Sequence, residues 1–109
     1  LPQQHRVYCA VEFHKRWDES NLFARKLIEQ GRLGELSYVG VDYSQRIGIP
    51  AEAFAGWASR SSIFQYLGVH YVDLIHYLTR ALPIRLSACG TRGILESKGL
   101  DTWDSIHCT

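Results

Sequence analysis

The sequence predicts an α+β domain: an open, mainly antiparallel sheet with helices on one face, preceded by one strand of a different kind. Three observations point there. The apolar patterns follow the order strand, helix, strand, long helical region, strand, strand, which suits segregated layers better than a regular alternation of strand and helix. The later strand candidates alternate, as half-buried strands do. The first one, Val7 to Phe13, is apolar on both alternating faces until Glu12. That is the pattern of a central strand covered on both sides, as in parallel sheets, so it is expected to belong to a neighbouring domain's sheet.

Composition sets the outer limits. A chain of 109 residues has room for one domain with a core of its own. With 46% hydrophobic and 21% charged residues, it reads as an ordinary globular protein. No apolar run approaches the ~20 residues of a membrane helix, and the start is not a signal peptide, so no membrane partner is expected. The formal net charge of +1 gives no global field to attract nucleic acid. Cys9, Cys89 and Cys108 are an odd number without a CxxC pair. They read as reduced, mostly buried thiols of a cytoplasmic protein. The chain has no Met, opens with a few polar residues and stops at Thr109 as a strand begins; the expectation is a piece of a longer polypeptide.

The first strand ends in Glu12-Phe13-His14-Lys15-Arg16-Trp17-Asp18. Asp18 is a suitable N-cap for a helix over roughly residues 19–30. That helix is expected to bury Phe23, Ala24, Leu27 and Ile28 and to end at Gly31, a suitable left-handed C′ residue. His14 to Trp17 would then lie at the carboxyl end of a parallel-type strand, where open α/β sheets place their ligand sites; the plainer reading makes Lys15 and Arg16 solvated loop charges. Leu36 to Tyr43 reads as the next strand, with Val39, Val41 and Tyr43 on one face. An irregular stretch, Ser44 to Pro50, leads to a short helix over Ala51 to Trp57, for which Pro50 stands at a tolerated position. The polar break Ala58 to Ser62 precedes a helix from about Phe64 to Arg80. Ile84 to Cys89 reads as a strand, Gly90 to Gly99 as a loop, and Thr102 to Cys108 as the start of a last strand.

The helix over 64–80 organises the chain. At about 100° per residue, His70, Asp73 and Tyr77 fall within an arc of roughly 60°, beside a separate apolar stripe of Leu67, Tyr71, Leu74, Ile75 and Leu78. One helix buries one side and holds out an imidazole, a carboxylate and a phenol on the next. His76 points further round. The plainer reading is a core helix with polar residues at its solvated edge.

Other chemistry is absent from the sequence. No GxGxxG, P-loop, GxSxG or HExxH occurs, so nothing here cradles a dinucleotide pyrophosphate on its own. His5, His14, His70, His76 and the cysteines lack the close spacing of a structural zinc site, and no metal is expected.

Val11-Glu12-Phe13-His14-Lys15-Arg16-Trp17-Asp18, then Leu27-Ile28-Glu29-Gln30-Gly31-Arg32-Leu33-Gly34-Glu35-Leu36, then Leu67-Gly68-Val69-His70-Tyr71-Val72-Asp73-Leu74-Ile75-His76-Tyr77-Leu78 together resemble the glucose–fructose oxidoreductase/inositol dehydrogenase/MocA (Gfo/Idh/MocA) family. The resemblance runs through nearly the whole chain in the family's order and spacing. It implies an N-terminal Rossmann domain that binds NAD or NADP, followed by a larger α/β domain whose open antiparallel sheet shapes a sugar or polyol site. Residues 1–16 are then expected to be the last Rossmann strand (6–13) and the crossover, and 17–109 part of the C-terminal substrate and oligomerisation domain.

The implied chemistry is hydride transfer between nicotinamide and a sugar, polyol or related hydroxyl or carbonyl carbon, with a base for the hydroxyl proton. By the resemblance a lysine from a Glu-Lys-Pro triplet in the Rossmann domain, the helix Asp, and a His or Tyr four residues later supply it. Asp73 and Tyr77 match the last two as catalytic residues. The lysine is missing, and Lys15, which follows the strand, is not its equivalent. His70 matches the family's His three residues before the Asp. His70, His14 and Arg46 are the expected substrate contacts, with Gln45 and Tyr66 as further candidates, and Lys15 the expected cofactor contact. Ser61-Ser62-Ile63-Phe64-Gln65-Tyr66 replaces the family's Gly-rich run and acidic residue, and Trp17 stands where Phe is commoner, so relatives do not imply the sugar. The chain alone, without cofactor domain and base, is expected to be inactive. The competing expectation is a non-catalytic module that dimerises through its sheet, and a homo-oligomer is expected on either view.

Overall fold

The structure, a computed structural model, describes residues 7–109. It is an α+β arrangement of helices and a two-stranded antiparallel sheet. Helix α1 (Glu19–Glu29) follows a 3₁₀ turn over His14–Trp17; α2 (Ala55–Ala58) follows a π-helical turn over Ile49–Ala53; α3 (Val69–Thr79) continues a π-helical turn over Phe64–Gly68. Strands β1 (Ala88–Thr91) and β2 (Ser105–Cys108) close the chain, with a 3₁₀ turn at Glu96–Lys98 between them.

Helix α1 begins at Asp18, whose extended backbone lets its carbonyl accept from the Asn21 and Leu22 amides at 2.9 and 3.0 Å. Its carboxylate makes no capping hydrogen bond and stands 3.6 Å from Lys15 Nζ instead. The helix ends as expected at Gly31: at φ +68° the chain reverses, and the Arg32 amide reaches back to the Leu27 carbonyl at 3.0 Å. The four residues expected to be buried on α1 are not: Ala24, Leu27 and Ile28 are half-buried and Phe23 is 60% exposed, because no described element covers that side of α1. Helix α3 ends at Arg80, in the left-handed region at φ +62°, with its amide on the His76 carbonyl at 2.8 Å. His76 points away from the polar face, its Nδ1 3.0 Å from the Ala81 carbonyl oxygen.

Two expected strands do not form. The described part of the first, Val7 to Phe13, and the stretch 36–43 have no strand assignment and no ladder partner among the described residues. Val11 is 78% exposed, Tyr38 85% and Val41 45%. An isolated extended segment has nowhere to place its backbone hydrogen bonds except water; apolar patterning supplies the face, not the partner. Residues 84–87 are likewise exposed, and the third strand starts only at Ala88. Its register pairs Ala88 with Cys108, Cys89 with His107, Gly90 with Ile106 and Thr91 with Ser105; Ser87 and Thr109 exchange two further backbone bonds. The thiols are free as expected but not buried: Cys9 and Cys89 are exposed and Cys108 is half-buried.

The buried residues fall in two small groups rather than one core. Leu74 and Tyr77 are buried on α3, where α1 and the turn at 14–17 pack. Ala58 on α2 packs with Leu95 and Leu100 from the β1–β2 connection. The same junction is fixed by Thr102, whose hydroxyl donates to the Ser61 carbonyl at 2.8 Å, and by the Asp101 amide on Ser59 Oγ at 3.2 Å. The helices therefore meet the hairpin through its connecting loop. The radius of gyration, 17.2 Å, exceeds the ~13 Å of a compact chain this long.

Candidate functional site

The polar face of α3 is covered by the turn that follows the first extended segment. Positions 70, 73 and 77 share that face because of helical spacing, and the 3₁₀ turn His14–Trp17 lies across it. Arg16 donates from Nε to Asp73 Oδ2 at 2.8 Å and from its Nη2 to Oδ1. This is the two-pronged guanidinium–carboxylate geometry that fixes orientation as well as charge. The Asp73 side chain is 9% exposed and that of Arg16 36%. Hydrogen bonding to Asp73 raises the Arg16 pKa above its ordinary value, against the opposing effect of burial. Arg16 was the residue that sequence reasoning passed over, and the useful signal was its place beside His14 and Lys15 in the stretch that leads into α1.

Tyr77 is buried under cations. The guanidinium carbons of Arg25, Arg16 and Arg80 lie 4.2, 5.4 and 5.9 Å from its ring centroid. Arg25 is itself paired with Glu29 at 2.6 Å, and that hydrogen bond, followed by the Tyr77 phenol, raises its pKa.

His70 occupies the next turn of the same face. Its ring centroid is 4.9 Å from that of His14 and 6.0 Å, edge-on, from that of Phe13. Its Nδ1 is buried without a hydrogen-bond partner, a costly state for an imidazole nitrogen unless something else occupies it. His14 is exposed.

The structure thus brings His14, His70, Asp73 and Tyr77 together and adds Arg16 to them. Lys15 adjoins the group: its ammonium sits between Asp18 and the face of Tyr71, 5.9 Å from the ring centroid, and its carbonyl accepts from Asn21 Nδ2 at 2.8 Å. Arg46 is not brought in. It is exposed, and its guanidinium makes no hydrogen bond or ion pair among the described residues. It sits in the irregular stretch after Tyr43, where its neighbours Gln45 and Ile47 line a separate cavity that Arg46 does not. Tyr66 lines that cavity too. Among the described residues no group of three or more His, Cys, Asp or Glu could hold a metal ion, and no helix is long and apolar enough to cross a membrane.

Comparison with known proteins agrees with this architecture. No curated protein matches the chain. A crystal structure from Sinorhizobium meliloti 1021, provisionally named a myo-inositol dehydrogenase, superposes with a TM-score of 0.67 at 24% identity. The match covers 98% of this chain and 32% of the other, so the chain spans about a third of that protein's length; at this identity the likeness shows the fold. The profile of the GFO/IDH/MocA C-terminal domain matches residues 22–109. On that match, which takes in most of α1, the whole site helix and the hairpin, the chain belongs to the GFO/IDH/MocA C-terminal domain family.

Proposed function

We propose that the chain is the substrate-side portion of an NAD(P)-dependent oxidoreductase that moves a hydride between nicotinamide and a hydroxyl or carbonyl carbon of a sugar, polyol or related compound. Residues 1–16 would be the end and crossover of a dinucleotide-binding domain, and 17–109 part of the substrate domain. One observation carries the reading: the crossover turn docks on the polar face of α3, putting His14 beside His70 and Arg16 on Asp73. A site made where two segments meet suits a substrate held between two domains.

The roles follow from what each group is free to do. Both oxygens of Asp73 are taken by Arg16, so Asp73 acts as a fixed negative charge that orients its surroundings. The ring of Tyr77 lies among three guanidinium groups and is held rigidly by them. His70 is the group on this face with an unpaired buried nitrogen, and imidazole is the side chain whose ordinary titration lies near neutrality. We assign it the proton leaving the substrate hydroxyl, with the His14 ring tilted beside it at 4.9 Å between centroids. A nicotinamide cofactor, when bound, supplies the hydride acceptor. His14 and Lys15, on the crossover turn, are the residues that would face it, and the orphaned His70 nitrogen fits a substrate hydroxyl between them. The myo-inositol in the structural neighbour's name makes polyols the first substrates to try, and free thiols suit a cytoplasmic enzyme.

The test is nicotinamide reduction by the intact polypeptide that carries this chain, with a panel of polyols and sugars. His70→Gln is expected to lower kcat by about 10²–10⁴-fold; Asp73→Asn is expected to lower it less while loosening the Arg16 contact. Full activity in His70→Gln, or no nicotinamide-dependent turnover with any polyol, overturns the proposal. The exposed apolar stretch around Val39 and Val41, at 42 and 45%, favours a second reading, a module that self-associates through an unpaired edge. Val41→Lys would then change assembly and leave no activity to lose.

A further inference from the structure

A cavity lies away from the His70–Asp73–Tyr77 face, between the π-helical turns and the β1–β2 connection, with a volume of ≈ 350 Å³. That is the size of a small-ligand site. Its walls are largely aromatic: Phe54, Trp57 and Tyr66 pack on one another with ring centroids 4.7 to 5.8 Å apart, Tyr43 and Trp103 add two more rings, and aliphatic side chains, four serines and a threonine make up most of the rest. No Lys, Arg or His lines it. Its one carboxylate, Asp104, already accepts from the Ile94 and Leu95 amides, at 2.8 Å each. Both Asp104 oxygens are thus engaged by backbone amides, and nothing in the lining favours an anionic ligand. It does contain one unmet polar need: Gln45 lines it, and Gln45 Oε1 is buried with no hydrogen-bond partner. The terminal torsion of a glutamine amide is soft, so this acceptor can turn to a donor placed in the cavity.

We infer that this cavity is a binding site for a neutral, planar aromatic or heteroaromatic molecule that carries an N–H or O–H donor, stacked among Tyr43, Trp57, Tyr66 and Trp103 and donating to Gln45. Aromatic walls reward a flat apolar face in offset or edge-on contact. A buried acceptor left unpaired penalises ligands that cannot donate. The inference does not depend on the dehydrogenase reading.

Indole and N-methylindole are the probes, because they share a ring system and differ in the donor. The full chain is titrated while the indole N–H resonances of its three tryptophans are followed by NMR. Trp57 and Trp103 line the cavity; Trp17, on the crossover turn and 69% exposed, is the internal control. Indole is expected to shift Trp57 and Trp103 but not Trp17, and to bind about tenfold more tightly than N-methylindole. Gln45→Leu is expected to reduce indole to the affinity of N-methylindole and to leave N-methylindole unchanged. Equal binding of the two probes in the unmodified chain would overturn the inference whatever the variant does. So would shifts shared by all three tryptophans, an absence of shifts, or a stronger response of Trp57 and Trp103 to myo-inositol than to indole.

Discussion

Gly68, the glycine two residues before His70, gives the sharpest test of how the site helix is built. Its backbone is ordinary helix, φ −55° and ψ −35°, so conformation alone does not require glycine. Alanine there should even favour the helix, by about 1 kcal/mol. The obstacle is packing. A Cβ on residue 68 would stand 2.6 Å from Phe64 Cδ2 and 2.8 Å from its Cγ. That is about 1 Å inside the separation at which two carbons rest. The ring atoms nearest the backbone are involved, so Phe64 cannot escape by moving its tip. Overpacking of this kind costs about 1–3 kcal/mol, and the net expectation for Gly68→Ala is a destabilisation of about 1 kcal/mol. Urea unfolding of the full chain should show the midpoint falling by roughly 0.5–1 M. In a Phe64→Ala background the clash is gone, and the same substitution should instead stabilise by about 1 kcal/mol. If Gly68→Ala stabilises the unmodified chain, or has the same sign in both backgrounds, the close approach to Phe64 is not what selects glycine here.

Two further outcomes follow from named contacts. Arg16→Met strands the nearly buried Asp73 carboxylate, while Arg16→Lys keeps the charge but loses the two-pronged geometry. The unfolding midpoint should therefore fall in the order unmodified, Lys, Met, and Asp73→Asn should recover part of the loss in the Met variant. The hydrogen bond to Asp73 raises the folded-state pKa of Arg16 above its ordinary value, so its charge contributes fully below the ordinary arginine range and is lost only as pH rises beyond the raised one. The gap between unmodified chain and Met variant should thus stay constant from pH 7 to about 10; a gap that closes in that window would refute the pairing. Thr102, 5% exposed, ties the hairpin to the polar break after α2 through its hydroxyl on the Ser61 carbonyl. Thr102→Val should cost about 1 kcal/mol in unfolding measurements, and an unchanged midpoint would show that water replaces the bond.

The local features were legible because their causes lie within a few residues. The apolar spacing of α1, the glycine that ends it and the shared face of His70, Asp73 and Tyr77 all follow from helix geometry. Family membership was legible as well, through the order and spacing of three short motifs. The last strand was legible too, since the expected stretch 102–108 contains Ser105–Cys108; the first two strand stretches were not. Val7–Phe13 and 36–43 have strand patterns, yet a strand exists only where another chain segment accepts its hydrogen bonds, and apolar alternation says nothing about where that segment is. The same limit explains Phe23 and the thiols, whose burial depends on what stands opposite.

The sequence by itself determined the site helix, the side chains it displays on one face, and the α+β class, because these depend on spacing along the chain. Only the tertiary structure decided that Arg16 neutralises Asp73, that three arginines gather on Tyr77, that His14 rather than Arg46 meets His70, and that an aromatic-walled cavity opens beside Gln45. Those pairings join residues far apart in the chain, such as Arg16 and Asp73 at 57 positions. They are set by how the crossover turn and the β1–β2 connection dock on the helices, and no periodicity in the sequence encodes that distance.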